Sequence, residues 1–374
     1  MSRLTYKFRL YPNEEQESRL LEALDLCRWL YNYFLAQWKD KVPSRYELQA
    51  QLPKLKKEKT ELDKVYSKVL QMVLHQLYSN LKALSEAKKK GRKVGRLRFK
   101  GKGWYKCLNY NQSGFKLIRT GNRLDKLYLS KIGAIPIRLH REIRGNIKGI
   151  IVKRYATGEW YALVQTENHP EPQPKTGGVI GIDVGIKHFL TDSEGRQMEN
   201  PRAYDKTLRK LRRRHREVSR KKQGSKNGNK AKIRLAKAYQ KLVNQRDDFL
   251  HKLSKFYVSN YDLIAIEDLR IPNMVKNSHL ASGILDASWG KFFQMLSYKA
   301  ASAGKIVLKV NPRDTSQEYN FGELDRDYNA SLNILARALP KGLGEVTPVE
   351  IDPLPRQVGA RSVVEAGSPM RSMG

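Results

Sequence analysis

Three short apolar runs constrain this chain more than any other feature: VIGI (179–182), LIAI (263–266) and KIVLKV (305–310). Each is too short for an ordinary helix and reads as a buried strand. Between the first two lies a long, very basic stretch with helical spacing. Between the second and third lies WGKFFQMLSYKAASAG, an amphipathic helix, and after the third comes the helical segment YNASLNILARAL. Strand, basic helices, strand, helix, strand, helix is the order of an α/β domain. The first run turns directly into Asp183, the second into Glu267, and the last helix is headed by Asp327.

The N-terminal half is built differently. RLTYKFRL (3–10) alternates and predicts a strand. Asn13 offers an N-cap, Glu14 and Glu15 suit a first helical turn, and Leu20, Leu21, Leu24, Cys27, Tyr31 and Leu35 predict one helix to about Lys39. A second helix is expected near 46–58. A third is expected over 64–88, with Val65, Val69, Met72, Leu77 and Leu81 as apolar positions. KKKGRKVGRLRFKGKGWYKC (88–107) then interleaves Phe99, Trp104 and Tyr105 with basic residues. It reads either as a loop for phosphate contacts and base stacking or as an exposed connector. From 108 to 164 the pattern is strand-like, with ATGEW as a hairpin turn. It predicts a small antiparallel, barrel-like domain to which the first strand returns. NHPEPQPKTGG (168–178) reads as a linker, and the sequence after about Ala338 as a disordered tail.

The 374 residues suggest two or three domains, and 40% hydrophobic residues suffice for a real core. Lys and Arg number 72 against 37 Asp and Glu, a net charge of +35. Such self-repulsion is relieved by a polyanion, and phosphate backbones are the obvious one. A merely soluble or ribosomal-type basic protein is the plain alternative, and an anionic membrane surface a weaker one. Between Lys206 and Arg246 stand seventeen Lys or Arg and one acid, Glu217, so Arg212, Arg213 and Arg216 are candidate phosphate contacts on a basic helical hairpin. No run of about 18 apolar residues offers a membrane span. Two cysteines, Cys27 and Cys107, exclude a disulfide framework and a four-thiolate zinc site. The N-terminus lacks the apolar core of a secretion signal, so a reducing cytoplasm is expected.

Phosphodiester cleavage with bound metal needs a compact cage of hard oxygen ligands, which favours Mg²⁺ or Mn²⁺. Asp183, Glu267 and Asp327 are candidates because each ends a buried strand or starts a helix. Taken singly, each also has a plain structural role. Asp183 can stabilise a turn, Glu267 can end a strand and leave Asp268 as the ligand, and Asp327 can be a helix N-cap. Asp192 and Asp325 are available too.

In order and spacing, YKFRLYPNEEQESRLL, CRWLYNYFL, YNQSGFKL, KIGAIPIRLHR, GIDVGIKHFLTD, IAIEDLRIPNM, SWGKFFQMLSYKA, VNPRDTSQ and DRDYNASLNIL resemble the TnpB family from about Leu4 to Leu339. That family comprises RNA-guided nucleases of insertion sequences, related to type V CRISPR effectors. The resemblance implies an α/β multidomain fold with a RuvC-type, RNase H-like nuclease core and a β-barrel wedge domain that carries an inserted helical recognition domain. It lays out the chain as the first wedge strand in 1–12, the recognition domain in 13–98 and the rest of the wedge in 99–170. A linker in 171–178, the nuclease domain in 179–338 with the basic hairpin in 206–256, and a tail in 339–374 complete it. It implies Asp183, Glu267 and Asp327 as catalytic and metal-binding residues. Tyr46, Lys68, Gln71 and Asn111 are implied readers of a short motif beside the target.

The implied activity is Mg²⁺-dependent cleavage of duplex DNA, with Mn²⁺ able to substitute, directed by a transposon-end ωRNA with one protein copy per RNA and no membrane partner. Two other readings compete: an RNA-guided DNA binder or repressor that no longer cuts, and a strand-exchange transposase on the same fold. One departure stands out. Where the family carries a zinc ribbon on two Cys-x-x-Cys pairs, this chain has only a short cysteine-free interval at 317–324, so no zinc is expected.

Overall fold

The computed structural model describes residues 2–38, 42–168, 172–313, 315 and 325–339. The chain divides into two compact units, which part near residue 169.

The first unit opens with strand β1 (Ser2–Leu10), which turns Phe8 and Leu10 inward. Helix α1 (Glu14–Ala36) follows, and Asn13 and Gln16 form a reciprocal capping box at its start. Its buried side includes Leu20, Leu24, Cys27, Tyr31 and Leu35, whereas Leu21 faces solvent. The helix expected near 46–58 is two helices, α2 (Arg45–Ala50) and α3 (Leu52–Glu58). Pro53 explains the break, because it lacks the N–H that a continuous helix would need and suits a helix's first turn. A 3-10 turn (Thr60–Lys64) delays α4 to Ser67–Lys89, and the buried stripe of α4 is Val69, Leu70, Val73, Leu74 and Leu77. Met72 and Leu81 lie at its margin, half-buried.

Strands β2 (Cys107–Asn111), β3 (Phe115–Ile118), β4 (Asp125–Leu129), β5 (Gly133–Arg138), β6 (Asn146–Arg154) and β7 (Trp160–Asn168) complete this unit. With β1 they form a mixed-order antiparallel sheet of seven strands among the described residues, in the order β2-β6-β7-β1-β5-β4-β3. β1 pairs along its whole length with β7 and by its last residues with β5, so the first strand does return to the sheet. The sheet curls almost into a barrel, and chain length shows why. Its outermost strands, β2 and β3, are joined by residues 112–114 alone. That link reaches about 14 Å at most, whereas the edges of a flat sheet of this width would stand about 29 Å apart. Helices and curled sheet share one apolar core.

In the second unit, β8 (Val179–Val184), β9 (His188–Asp192), β10 (Gln197–Glu199), β11 (Leu263–Glu267) and β12 (Ile306–Val310) form a sheet in the order β10-β9-β8-β11-β12. β8, β9 and β10 are joined antiparallel, while β11 runs parallel to both β8 and β12. The helices are α5 (Ala203–Ser219), α6 (Lys226–Asn260), α7 (Ile271–Met274), α8 (Ser278–Ala287), α9 (Trp289–Ala303) and α10 (Arg326–Ala338). Ile180, Ile182, Ile264, Ile266 and Val307 share a core with Leu250 and Tyr257 of α6 and Phe292 and Leu296 of α9. The opposite face is covered by α10, against Gly181 and Ala265. There the fit is close: a Cβ added to Gly181 would lie 2.2 Å from the Ser331 carbonyl oxygen.

The basic hairpin is α5 and α6, closed on a small core of Ala203, Leu211, Ala238 and Leu242. Its turn is residues 220–225, because Ser225 accepts from the Gly228 N–H and starts α6 at Lys226. The start of α5 lacks a local side-chain cap, and Asp286 of α8 fills that role by accepting the Tyr204 N–H while pairing with Arg246. No described helix is long and apolar enough to cross a membrane.

Asp192 is wholly buried at the end of β9. It accepts from the Glu194 and Arg196 backbones, the Arg196 guanidinium and the Tyr257 hydroxyl, and so ties the β9–β10 turn to α6. Asp192→Ala strands these donors and is expected to lower stability by about 3 kcal/mol. Gly181→Ala must push α10 off the sheet, at a cost of roughly 1–3 kcal/mol. Urea unfolding of both variants against the parent measures these losses, and unchanged midpoints would contradict the packing described.

Candidate active site

Alternate residues of a strand face the same way. Asp183 therefore shares the face of Gly181, and Glu267 shares the face of Ala265, which is the face that α10 covers. Parallel pairing sets Ile182 beside Ile266, so the two carboxylates end adjacent strands at the same edge. α10 brings the third, Asp327, in its first turn. A Cβ added to Gly185, just past β8, would stand 3.9 Å from Asp327 Oδ2. The fold thus gathers Asp183, Glu267 and Asp327 from three distant segments onto one end of the sheet.

The electrostatics show the cost of that convergence. Burial, and then the charges of Glu267 and Asp327, push the Asp183 carboxyl up to about 8 from an ordinary 3.8, against a smaller opposing pull from Arg326. Burial also raises Glu267, opposed by the Thr315 hydroxyl, which donates to Glu267 Oε1, and by the charge of Arg337. Like charges held together in a half-dry site favour either a proton or a cation. Among the described residues, no three His, Cys, Asp or Glu side chains stand as a ready metal cage. The three carboxylates are near enough to interact electrostatically without forming a closed cage. As a donor set, three carboxylates fit a hard divalent ion such as Mg²⁺ or Mn²⁺.

The competing carboxylates have other partners. Asp192 faces the opposite side of the sheet, in the network with Arg196 and Tyr257. Asp268 is exposed and pairs with Lys309 at 3.1 Å. Asp325 is the N-cap of α10 and accepts from the backbones of Asp327 and Tyr328. Asp327 is therefore not the cap, and its first-turn position lets the helix dipole favour its negative charge. Two threonines had no role in the sequence reading. Thr315 holds Glu267, and Thr191 sits directly across the strand pair from Asp183, buried, with a hydroxyl that has no partner among the described residues. The hairpin register of GIDVGIKHFLTD was the signal for Thr191.

The nucleic-acid candidates lie where no chemistry yet singles them out. Tyr46 on α2 is exposed, with the Arg45 guanidinium over its ring. Lys68 and Gln71 stand one turn apart on α4, and Asn111 ends β2, all half-buried. Arg212, Arg213 and Arg216 are exposed on α5, turned away from buried Leu211. The shortened interval at 317–324 lies outside the described residues, as does the tail beyond Leu339.

Residues 162–278 match the family OrfB_IS605, described as "Probable transposase". Residues 289–323 match a "Cas12f1-like, TNB domain", and residues 1–45 a "Helix-turn-helix domain", although the described part of that stretch is a strand and one long helix. A protein of Streptomyces pristinaespiralis named "Putative RNA-guided DNA endonuclease" is 30% identical over 367 residues, 89% of each chain. "Putative RNA-guided DNA endonuclease InsQ" of Escherichia coli K12 is 30% identical over 341 residues, covering 85% of this chain and 83% of that protein. Among solved structures, the protein of a Cas12f1–sgRNA–target DNA complex shares the fold with a TM-score of 0.55 at 14% identity, over 87% of this chain and 83% of that one. Identity at this level over nearly the full length of both chains, together with the matched profile across the first two carboxylate segments, shows that this protein belongs to the TnpB (OrfB) family of insertion-sequence proteins.

Proposed function

We propose that the protein is an RNA-guided DNA endonuclease that cuts at Asp183, Glu267 and Asp327. The observation that carries this reading is the gathering of those three carboxylates on one sheet end, where burial, and then the charges of the other two, hold the Asp183 carboxyl up to about 8. Support comes from the relatives named as RNA-guided DNA endonucleases. The strand order, with three antiparallel strands beside two parallel ones, supports the RuvC-type, RNase H-like reading that the motifs imply.

Each residue has a task in this reading. Asp183, Glu267 and Asp327 hold Mg²⁺, or Mn²⁺ in its place. When bound, the ion supplies an activated water and offsets charge at the scissile phosphate. Asp183 must release its proton on loading, so loading is favoured at higher pH. Thr315 orients Glu267, and Asp325 keeps the start of α10, and with it Asp327, in place. Arg212, Arg213 and Arg216 offer charge to a phosphate backbone. Base pairing with an ωRNA supplies the sequence readout, and Tyr46, Lys68, Gln71 and Asn111 contact a short motif beside the duplex target. One protein copy serves one RNA.

In a plasmid-cleavage assay with guide RNA, matched target and Mg²⁺, Asp183→Asn, Glu267→Gln and Asp327→Asn are each expected to slow cutting roughly a thousandfold. Guide binding stays intact. Parent-like cutting by any of the three removes it from the site.

The pH dependence has a definite sign. Asp183 is protonated in the folded, metal-free protein up to about 8 but only to about 3.8 when unfolded. Between those values the folded state binds the extra proton, so this group's stabilisation is lost as pH rises. Relative to Asp183→Asn, the metal-free parent should therefore lose thermal stability across that window. A flat difference would contradict the raised carboxyl.

Sequencing the RNA that copurifies with the protein is expected to give one discrete species with a constant scaffold and a variable end. A random mixture of cellular RNA would count against guided targeting.

A further inference from the structure

The basic segment between α4 and β2 is irregular, yet it is held firmly. The Asn32 side chain grips the Lys100 backbone on both sides: the Lys100 N–H donates to Asn32 Oδ1 at 2.8 Å, and Asn32 Nδ2 donates to the Lys100 carbonyl at 2.9 Å. Arg28 adds a longer bond to that carbonyl, at 3.4 Å. The Lys100 side chain turns inward, its ammonium 4.0 Å from the Tyr31 ring centre and 4.8 Å from that of Tyr105, and burial lowers its basicity. Leu97 packs against the core before this anchor, and Tyr105 is buried after it. The loop is thus pinned at 97, 100 and 105.

Between those pins the two largest apolar side chains point outward. Phe99 is 63% exposed and Trp104 is 69% exposed. The Gly101 carbonyl accepts the Trp104 backbone N–H, which closes a tight turn beneath the indole. Leaving a Trp and a Phe in water on a held loop forfeits their burial energy. Around them stand Arg92, Lys93, Arg96, Arg98, Lys102 and Lys106, with no acidic residue from Lys88 to Asn122. A protein partner with an apolar patch would meet that charge unfavourably unless it were acidic. An unpaired nucleotide strand satisfies both features at once, with phosphates on the cations and bases on the rings.

We infer that Phe99 and Trp104 form a preset stacking platform for unpaired bases of the guide RNA. RNA is the preferred source because the guide accompanies the protein before any target arrives and so covers the rings in the resting complex. The inference rests on the proposal that RNA is a ligand, but not on cleavage. The anchor at Lys100 holds the backbone between the rings beforehand, so less ordering cost remains for binding.

The test is titration of the full-length protein with a uridine 20-mer, a thymidine 20-mer and a blunt RNA duplex of equal length, over a range of salt. Phe99→Ala and Trp104→Ala are each expected to weaken uridine 20-mer binding about tenfold. The slope of affinity against salt stays unchanged, and so does duplex binding. Trp104→Phe restores most of the affinity, and melting temperatures stay at the parent value because both rings are exposed. Lys102→Ala is the contrast: it reduces the salt slope by about one and weakens the duplex as well. The platform is overturned if the ring variants bind both the uridine and the thymidine 20-mers like the parent. It is equally overturned if they lose the duplex to the same degree, or if they change self-association rather than RNA binding. A loss confined to the thymidine 20-mer overturns the assignment to RNA. If the parent itself fails to bind any single strand, the wider RNA-guided reading falls along with the platform.

Discussion

The contact of α10 with β8 at Gly181 governs the second unit. No other residue type would let the Ser331 carbonyl come so near the strand. Because the helix lies that low, its first turn overhangs the ends of β8 and β11, and Asp327 enters the neighbourhood of Asp183 and Glu267. Ala265, the small residue beside Gly181 on β11, widens the same seat. Backbone packing at one glycine thus sets the distance between carboxylates two residues further along.

That packing works against electrostatics. Three acids on one partly dry surface repel one another, and the raised Asp183 carboxyl records it. Other buried or competing acids of this unit sit beside cations: Asp192 by Arg196, Asp286 by Arg246, Asp268 by Lys309. The contrast separates structural acids from the proposed working ones more clearly than position in the sequence does. The chain's large positive surplus is kept elsewhere, on the exposed side of α5 and α6 and on the pinned loop before β2.

Much of the organisation was legible in advance. Alternation in RLTYKFRL gave β1, the Asn13 signal gave the start of α1, and three short apolar runs gave β8, β11 and β12. Errors arose where a local rule met a competing one. Pro53 split a helix that periodicity ran together, and a 3-10 turn moved α4 and rotated its apolar stripe away from Met72. Leu21 fits the helical period of α1 yet lies just off its buried arc. For the candidate site, the sequence narrowed the acids to six. Only contacts showed that Asp325 caps, Asp192 braces a turn, and Asp268 meets a lysine.

The sequence alone determined the period of each element, the strongly cationic character of the chain and the carriers of its acidic groups, because spacing and charge are local properties. Tertiary structure decided which acids meet. Convergence depends on strand register, on the parallel pairing of β8 with β11, and on how closely a helix more than sixty residues downstream of Ile264 approaches a glycine in β8. It decided in the same way that Phe99 and Trp104 face outward, since that orientation comes from Asn32 and Tyr31 holding Lys100 across a long span of chain. Such contacts are set by packing between distant segments, and no local pattern encodes their distances.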